Sequence, residues 1–195
     1  MTTIVVLVGA FASGKSTLLE ALETGQTYYP PVTIMANIRK IKDLVFYDVS
    51  GGNQFQLMVQ SLIEKASIIL YCVDLSSPMA LFYHHVRPFH VPVILIFTKS
   101  DLPCLYSELQ VQTLINDMNP VDILAVSVAV NPIQSRDFVL KSINRLLPPH
   151  ENKQYRELKT IWTIWTAWTS WTSWTSWFRR WNCLNSSHDL MEPLL

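Results

Sequence analysis

Residues 9–16 read Gly-Ala-Phe-Ala-Ser-Gly-Lys-Ser, directly after the apolar run Ile4 to Val8 and before a stretch carrying Leu18, Leu19 and Leu22 at helical spacing. Nothing else in the chain narrows the fold so far. The pattern G-x-x-x-x-G-K-[ST] lets the backbone curl until successive N–H groups and a helix N-terminus face a phosphate. The loop is thus Gly9, Ala10, Phe11, Ala12, Ser13 and Gly14, with Lys15, Ser16 and Thr17 opening the helix. Lys15 is placed to reach the β and γ oxygens of a nucleotide, and the Ser16 hydroxyl to enter a Mg2+ shell. Chance yields such a match in roughly 1% of chains this long. A glycine turn that merely leads into a helix is the bland alternative.

The rest of residues 1–149 alternates strand and helix. Apolar runs suited to buried parallel strands occur at 4–8, 44–47, 68–73, 91–97 and 123–126, with a more mixed edge strand near 33–41. Helical stretches lie at 15–23, 54–65, 79–86, 107–118 and 132–147. Ser107 with Gln110 fits a capping box, and Asn131 before Pro132 fits a capping residue followed by proline at the first helical position. Val139, Ile143, Leu146 and Leu147 are spaced to form the buried stripe of the last helix. Six strands interleaved with five helices predict an α/β fold: a mostly parallel six-stranded sheet with helices on both faces, its ligand at the carboxyl ends of the strands.

Glycine use points to the same ends. The 195 residues contain only five glycines, about a third of the number expected at a frequency of roughly 7%, and four of them are Gly9, Gly14, Gly51 and Gly52. Asp48-Val49-Ser50-Gly51 follows the run 44–47 and gives D-x-x-G, where Asp48 can hold Mg2+ through water and the Gly51 N–H can meet a γ-phosphate. On these two loops the chain resembles the small GTPases, and the resemblance continues in order. Thr98-Lys99-Ser100-Asp101 looks like their N/T-K-x-D motif, in which the Asp101 carboxylate would accept two N–H groups of guanine, a pattern adenine cannot offer. Lys99 would lie over the base. Ser127-Val128-Ala129 is similar to the last guanine loop, although alone it reads equally well as an ordinary loop.

The resemblance implies a P-loop G domain that binds GTP or GDP with Mg2+. Thr33-Ile34-Met35-Ala36-Asn37-Ile38 resembles the Arf switch segment, with Thr33 sensing γ-phosphate and metal, and Asp101-Leu102-Pro103 extends the base motif in the Arf manner. The implied metal ligands are Ser16, Thr33 and, through water, Asp48. Two departures bear on chemistry. Gly52 stands where the family carries the glutamine that orients the attacking water, leaving Asn53 or Gln54 as substitutes only if the loop shifts. Phe11 stands where members carry a small or acidic residue, and its ring can obstruct a water or an arginine finger. The expectation is a molecular switch with slow unaided hydrolysis, or a scaffold that has stopped cycling. A nucleotide kinase is the third class, and no arginine-rich lid supports it.

Composition removes other classes. Lys+Arg and Asp+Glu both number 15, so no net field draws the chain to nucleic acid. The three cysteines, Cys72, Cys104 and Cys183, have neither disulfide parity nor C-x-x-C spacing, which suits a reducing, cytoplasmic setting. His85 and His90 are spaced like a zinc pair, but Pro88 interrupts them and no cysteine pair accompanies them. Thr2 excludes N-myristoylation at that position, and the chain opens on its first strand without the amphipathic helix that Arf proteins carry. A monomer is expected, with an effector, an exchange factor and an activating protein as partners.

Residues 150–195 form a separate low-complexity tail. All seven tryptophans fall between Trp162 and Trp181, six of them three residues apart among Thr and Ser. On an α-helix each such step turns about 300°, so the rings spiral around the cylinder and make no single face. A repeat expansion without function is the bland reading. The sharper ones are an interfacial membrane anchor aided by Arg179, Arg180 and acylation of Cys183, or a protein-binding segment. Arg39, Lys40 and Lys42 read as a solvated strand edge or a contact for a partner or lipid headgroup.

Overall fold

The computed structural model describes residues 3–52, 55–78, 80 and 89–147. The helix expected at 79–86 apart from Ala80, the alternatives Asn53 and Gln54, His85 and the entire tryptophan tail lie outside the described residues. The elements run β1 (Thr3–Val8), α1 (Lys15–Thr24), β2 (Ala36–Ile41), β3 (Leu44–Val49), α2 (Gln56–Glu64), β4 (Ile68–Asp74), β5 (Val93–Thr98), α3 (Glu108–Met118), β6 (Asp122–Ala125) and α4 (Pro132–Leu146).

All six strands join one sheet in the order β2-β3-β1-β4-β5-β6. Only the β2–β3 pair is antiparallel, so the expected mostly parallel sheet is present. β1 goes to β3 on one side and β4 on the other, which makes its carboxyl end the switch point where such sheets open a crevice. The phosphate-loop motif begins one residue past that end.

Because β1, β4 and β5 are covered from both sides, they read as unbroken Val, Ile and Leu runs, and Val5 to Val8 have no exposed surface. Side chains alternate across the sheet. Val5, Leu7, Leu70, Ile94 and Ile96 form one core with Leu18, Leu19 and Leu22 of α1 and Val139 and Ile143 of α4. Each such leucine contributes about 1.5–3 kcal/mol by leaving water. The intervening Val6, Ile69 and Leu95 are also fully buried, on the face where α2 supplies Val59 and Ile63 and α3 supplies Val111 and Leu114.

Three local expectations need correction. The run 123–126 was expected to be a buried strand, but β6 covers 122–125 at the sheet edge and all four residues are half-buried. Thr33 precedes β2 instead of starting it, because pairing with β3 begins at Ala36 opposite Val49. Asn131 occupies the N-cap position of α4, yet its side chain makes no capping bond. Its ψ of 71° is far from the extended backbone of Ser107, whose ψ is 157° and whose Oγ accepts from the Gln110 N–H in a complete capping box.

Candidate functional site

β1 delivers the chain to Gly9 beside the carboxyl end of β4. A Cβ at Gly9 would lie 2.2 Å from the Cys72 carbonyl oxygen, a contact only glycine avoids. The loop then turns through Ala12, at φ 60°, and Gly14, which rests against the Thr98 side chain. Lys15 is 5% exposed, and its Nζ donates to the carbonyls of Gly9 at 3.0 Å and Ala10 at 2.7 Å and to Ser13 Oγ at 3.4 Å. Burial pulls its pKa below the ordinary lysine range, with Cys72 and Asp48 partly restoring it. A buried ammonium bonded only to neutral oxygens is poorly compensated, and an anion entering the loop would supply the missing charge.

Three hydroxyl and carboxylate groups meet beside this loop from three separate segments. Ser16 Oγ donates to Asp48 Oδ2 at 2.5 Å, Thr33 Oγ1 donates to the same oxygen at 3.0 Å, and the two hydroxyls lie 3.0 Å apart. Asp48 is fully buried, and its Oδ1 has no hydrogen-bond partner. An orphaned carboxylate oxygen beside two hydroxyls is an all-oxygen set of the kind that takes a hard divalent cation together with its waters. The three residues expected to serve a metal are therefore brought together.

The opposite end of the crevice is built from β5, β6 and their loops. Thr98 Oγ1 donates to the Ser13 carbonyl at 2.7 Å, with the Val73 carbonyl at 3.2 Å, and so ties the phosphate loop to the end of β5. Ser127 Oγ donates to Asp101 Oδ1 at 2.5 Å, and the Ser100 N–H donates to the Val126 carbonyl, so the two loops hold each other. Asp101 is exposed, which leaves an oriented carboxylate open to a ligand. Val128 is buried and its carbonyl accepts from Thr27 Oγ1 at 2.7 Å, while Ala129 is exposed.

Gly51 closes the site from the side of the loop after β3. A Cβ there would lie 2.4 Å from the Phe11 amide nitrogen and 2.5 Å from the Ala10 carbonyl carbon. The Phe11 ring is 63% exposed, so it lines the mouth of the site and not the core. Gly52 follows with only a hydrogen to offer, its N–H 3.4 Å from Ser50 Oγ.

Comparison with known proteins gives two likenesses. Residues 4–99 match the family described as 50S ribosome-binding GTPase. ADP-ribosylation factor-like protein 14 of Mus musculus is 28% identical over 114 residues, which cover 51% of this chain and 59% of that protein. Both likenesses are to GTPases, and the second is to a member of the Arf-like branch. The chain spans less than two thirds of that relative's length.

Three long-range contacts escape sequence inspection. Asp74 ends β4 and pairs with Lys99 Nζ at 2.7 Å. Thr27 fastens the segment after α1 to the last guanine loop. Arg39 reaches Glu20 at 3.3 Å and also Glu23 on α1, so one member of the basic run is an ion-pair partner while Lys40 and Lys42 stay exposed. Only Asp74 left a trace in the sequence: like Asp48, it is a carboxylate at the end of an apolar strand.

Proposed function

We propose that this chain is a Mg2+-dependent molecular switch that binds GTP and GDP and hydrolyses GTP slowly. The observation that carries the reading is the meeting of Ser16, Thr33 and Asp48, because it couples the phosphate loop to both switch segments through one carboxylate. Ser16, Thr33 and Asp48 would hold Mg2+, which would supply positive charge against the nucleotide phosphates. Lys15 and the loop amides hold the phosphates, Thr98 fixes the loop, and Asp101, oriented by Ser127, reads guanine from an exposed position. γ-Phosphate then favours the ordered form of the segments around Thr33 and Gly51, which an effector binds.

Slow hydrolysis rests on Gly52, which has no group to orient water, and on the Phe11 ring at the mouth of the site. The same two residues suit the second reading, a pseudo-GTPase scaffold that binds partners without cycling. The stretch Val93 to Cys104, together with Gly52, resembles the divergent ADP-ribosylation factor-like protein 16, and intracellular or ciliary trafficking is the cellular role proposed on that likeness. A cytoplasmic monomer, peripheral at membranes and served by an exchange factor and an activating protein, completes the proposal.

Nucleotide released from the purified full chain identifies the base, and Asp101→Asn tests how it is read. An amide in place of the carboxylate should move preference from guanine to xanthine. Adenine nucleotide bound as tightly as guanine, or guanine selectivity unchanged in the variant, refutes the reading. Single-turnover GTP hydrolysis separates switch from scaffold, since a measurable rate that depends on Mg2+ excludes the scaffold.

A further inference from the structure

The geometry points to Asp74 as the positioning residue that holds Lys99 in place for the guanine base. The inference rests on the guanine-binding reading above and assigns a role to a residue outside its four motifs. Asp74 is the last residue of β4, 5% exposed, and lies opposite Thr98 in the β4–β5 register. Both of its oxygens are engaged. Oδ1 accepts from the Ser76 N–H at 3.0 Å and from the Ser76 hydroxyl, and Oδ2 accepts from Lys99 Nζ at 2.7 Å. The carbonyl of Asp74 also accepts from the Ser77 N–H at 3.1 Å, so the carboxylate stands on a turn that is itself hydrogen-bonded.

Lys99 needs such a hold. Its backbone is in the left-handed region, at φ 51°, where a side chain with a Cβ sits at a cost. Its side chain is 40% exposed and carries four rotatable bonds, so a free ammonium would sample many positions over the crevice. A nearly buried carboxylate at 2.7 Å removes most of that freedom before any nucleotide arrives. The stem is then fixed beside Asp101, two residues on, and the freezing of Lys99 is not charged against binding. A carboxylate so placed acts on retention of the base through Lys99.

The test is a double-mutant cycle on the full chain, read as the dissociation rate of the fluorescent probe mant-GDP at fixed Mg2+. Asp74→Asn, which keeps the shape and the Ser76 contacts, should speed release about threefold to tenfold, and Asp74→Glu, which restores the charge, should recover part of the loss. In a Lys99→Met background Asp74→Asn should change release less than twofold, because the group it positions is gone. A structural role for Asp74 would instead add its effect fully in both backgrounds. Equal release rates for wild type and Asp74→Asn, or full additivity, overturns the assignment of Asp74 alone. Failure of the wild type to retain mant-GDP in preference to mant-ADP overturns the guanine reading with it. Should Asp74→Asn fail to fold, Ser76→Ala, which frees one side of the carboxylate, takes its place in the same cycle with the same criteria.

Discussion

Replacing Asp48 by asparagine separates what the carboxylate does for the fold from what it does for the metal. In the folded chain Oδ2 accepts two hydroxyl hydrogen bonds, from Ser16 and Thr33, and Oδ1 accepts none although the residue is fully buried. The amide oxygen of asparagine can keep both bonds, each weaker by about 1 kcal/mol because its acceptor is neutral. Against that loss stands relief from burying a negative charge, about 1–3 kcal/mol, itself offset in part by the lost attraction for Lys15 and by the amide NH2 that takes the place of Oδ1 without an acceptor. Stability measured by denaturant titration in EDTA should therefore change by no more than about 1–2 kcal/mol. Metal binding should suffer far more. A group that acts on a metal through its shell of water typically costs about 10–100-fold in metal affinity when removed, or about 1.4–2.8 kcal/mol. The assay is mant-GDP release as a function of Mg2+ concentration, and the variant's midpoint should move up by that factor. A wild-type midpoint, or a stability loss above about 3 kcal/mol in EDTA, would refute the reasoning, the second outcome by making Asp48 a structural acceptor.

Other outcomes follow from single contacts. Gly51→Ala puts a methyl 2.4 Å from the Phe11 nitrogen and 2.5 Å from the Ala10 carbon, both backbone atoms; it should lower stability by about 1–3 kcal/mol and weaken GTP more than GDP, and wild-type melting with unchanged affinities would contradict the packing. Burial pushes the Cys72 thiol from an ordinary 9.0 up to about 12. The folded chain thus holds this proton longer than the unfolded one, so the stabilisation is full below 9 and fades as pH rises toward 12, by up to about 4 kcal/mol. Comparing wild type with Cys72→Ala across that window should show the difference shrinking, and a constant difference refutes it. Gly52→Gln should raise single-turnover GTP hydrolysis at least about tenfold, and no gain even in combination with Phe11→Gly would show that the missing side chain is not what limits the reaction.

Much of the site is legible because its parts are local. Gly9 to Ser16, Asp48 to Gly51 and Thr98 to Asp101 are short runs whose residue types answer to backbone curvature, metal or base, and each follows an apolar strand that announces itself. The strand order was less accessible, since which strand lies beside β1 is decided by crossovers and not by composition. β6 looked buried because Ile123 and Leu124 are apolar, yet a position at the sheet edge leaves them half-buried. Asn131 had the right chemistry for a cap and the wrong backbone angle, and no residue pattern encodes ψ. Arg39 and Asp74 were hidden for a common reason: their partners lie 16 and 25 residues away in the chain, and only the packed sheet brings them together.

The buried polar groups of this domain divide into two kinds. Thr98 with the Ser13 carbonyl and Asp74 with Ser76 and Lys99 are satisfied within the fold, and they stabilise loops whether or not a ligand is present. Lys15 and Asp48 differ. One is a buried ammonium bonded only to neutral oxygens, and the other is a buried carboxylate with an oxygen left over. Each attracts the other, yet neither is fully compensated for its desolvation. The two imperfections are complementary to the two halves of a metal nucleotide: anionic phosphate for Lys15, a hydrated cation for Asp48. A ligand that supplies both would compensate the two groups at once, so replacing either Lys15 or Asp48 should weaken the metal nucleotide as a whole and not one half of it.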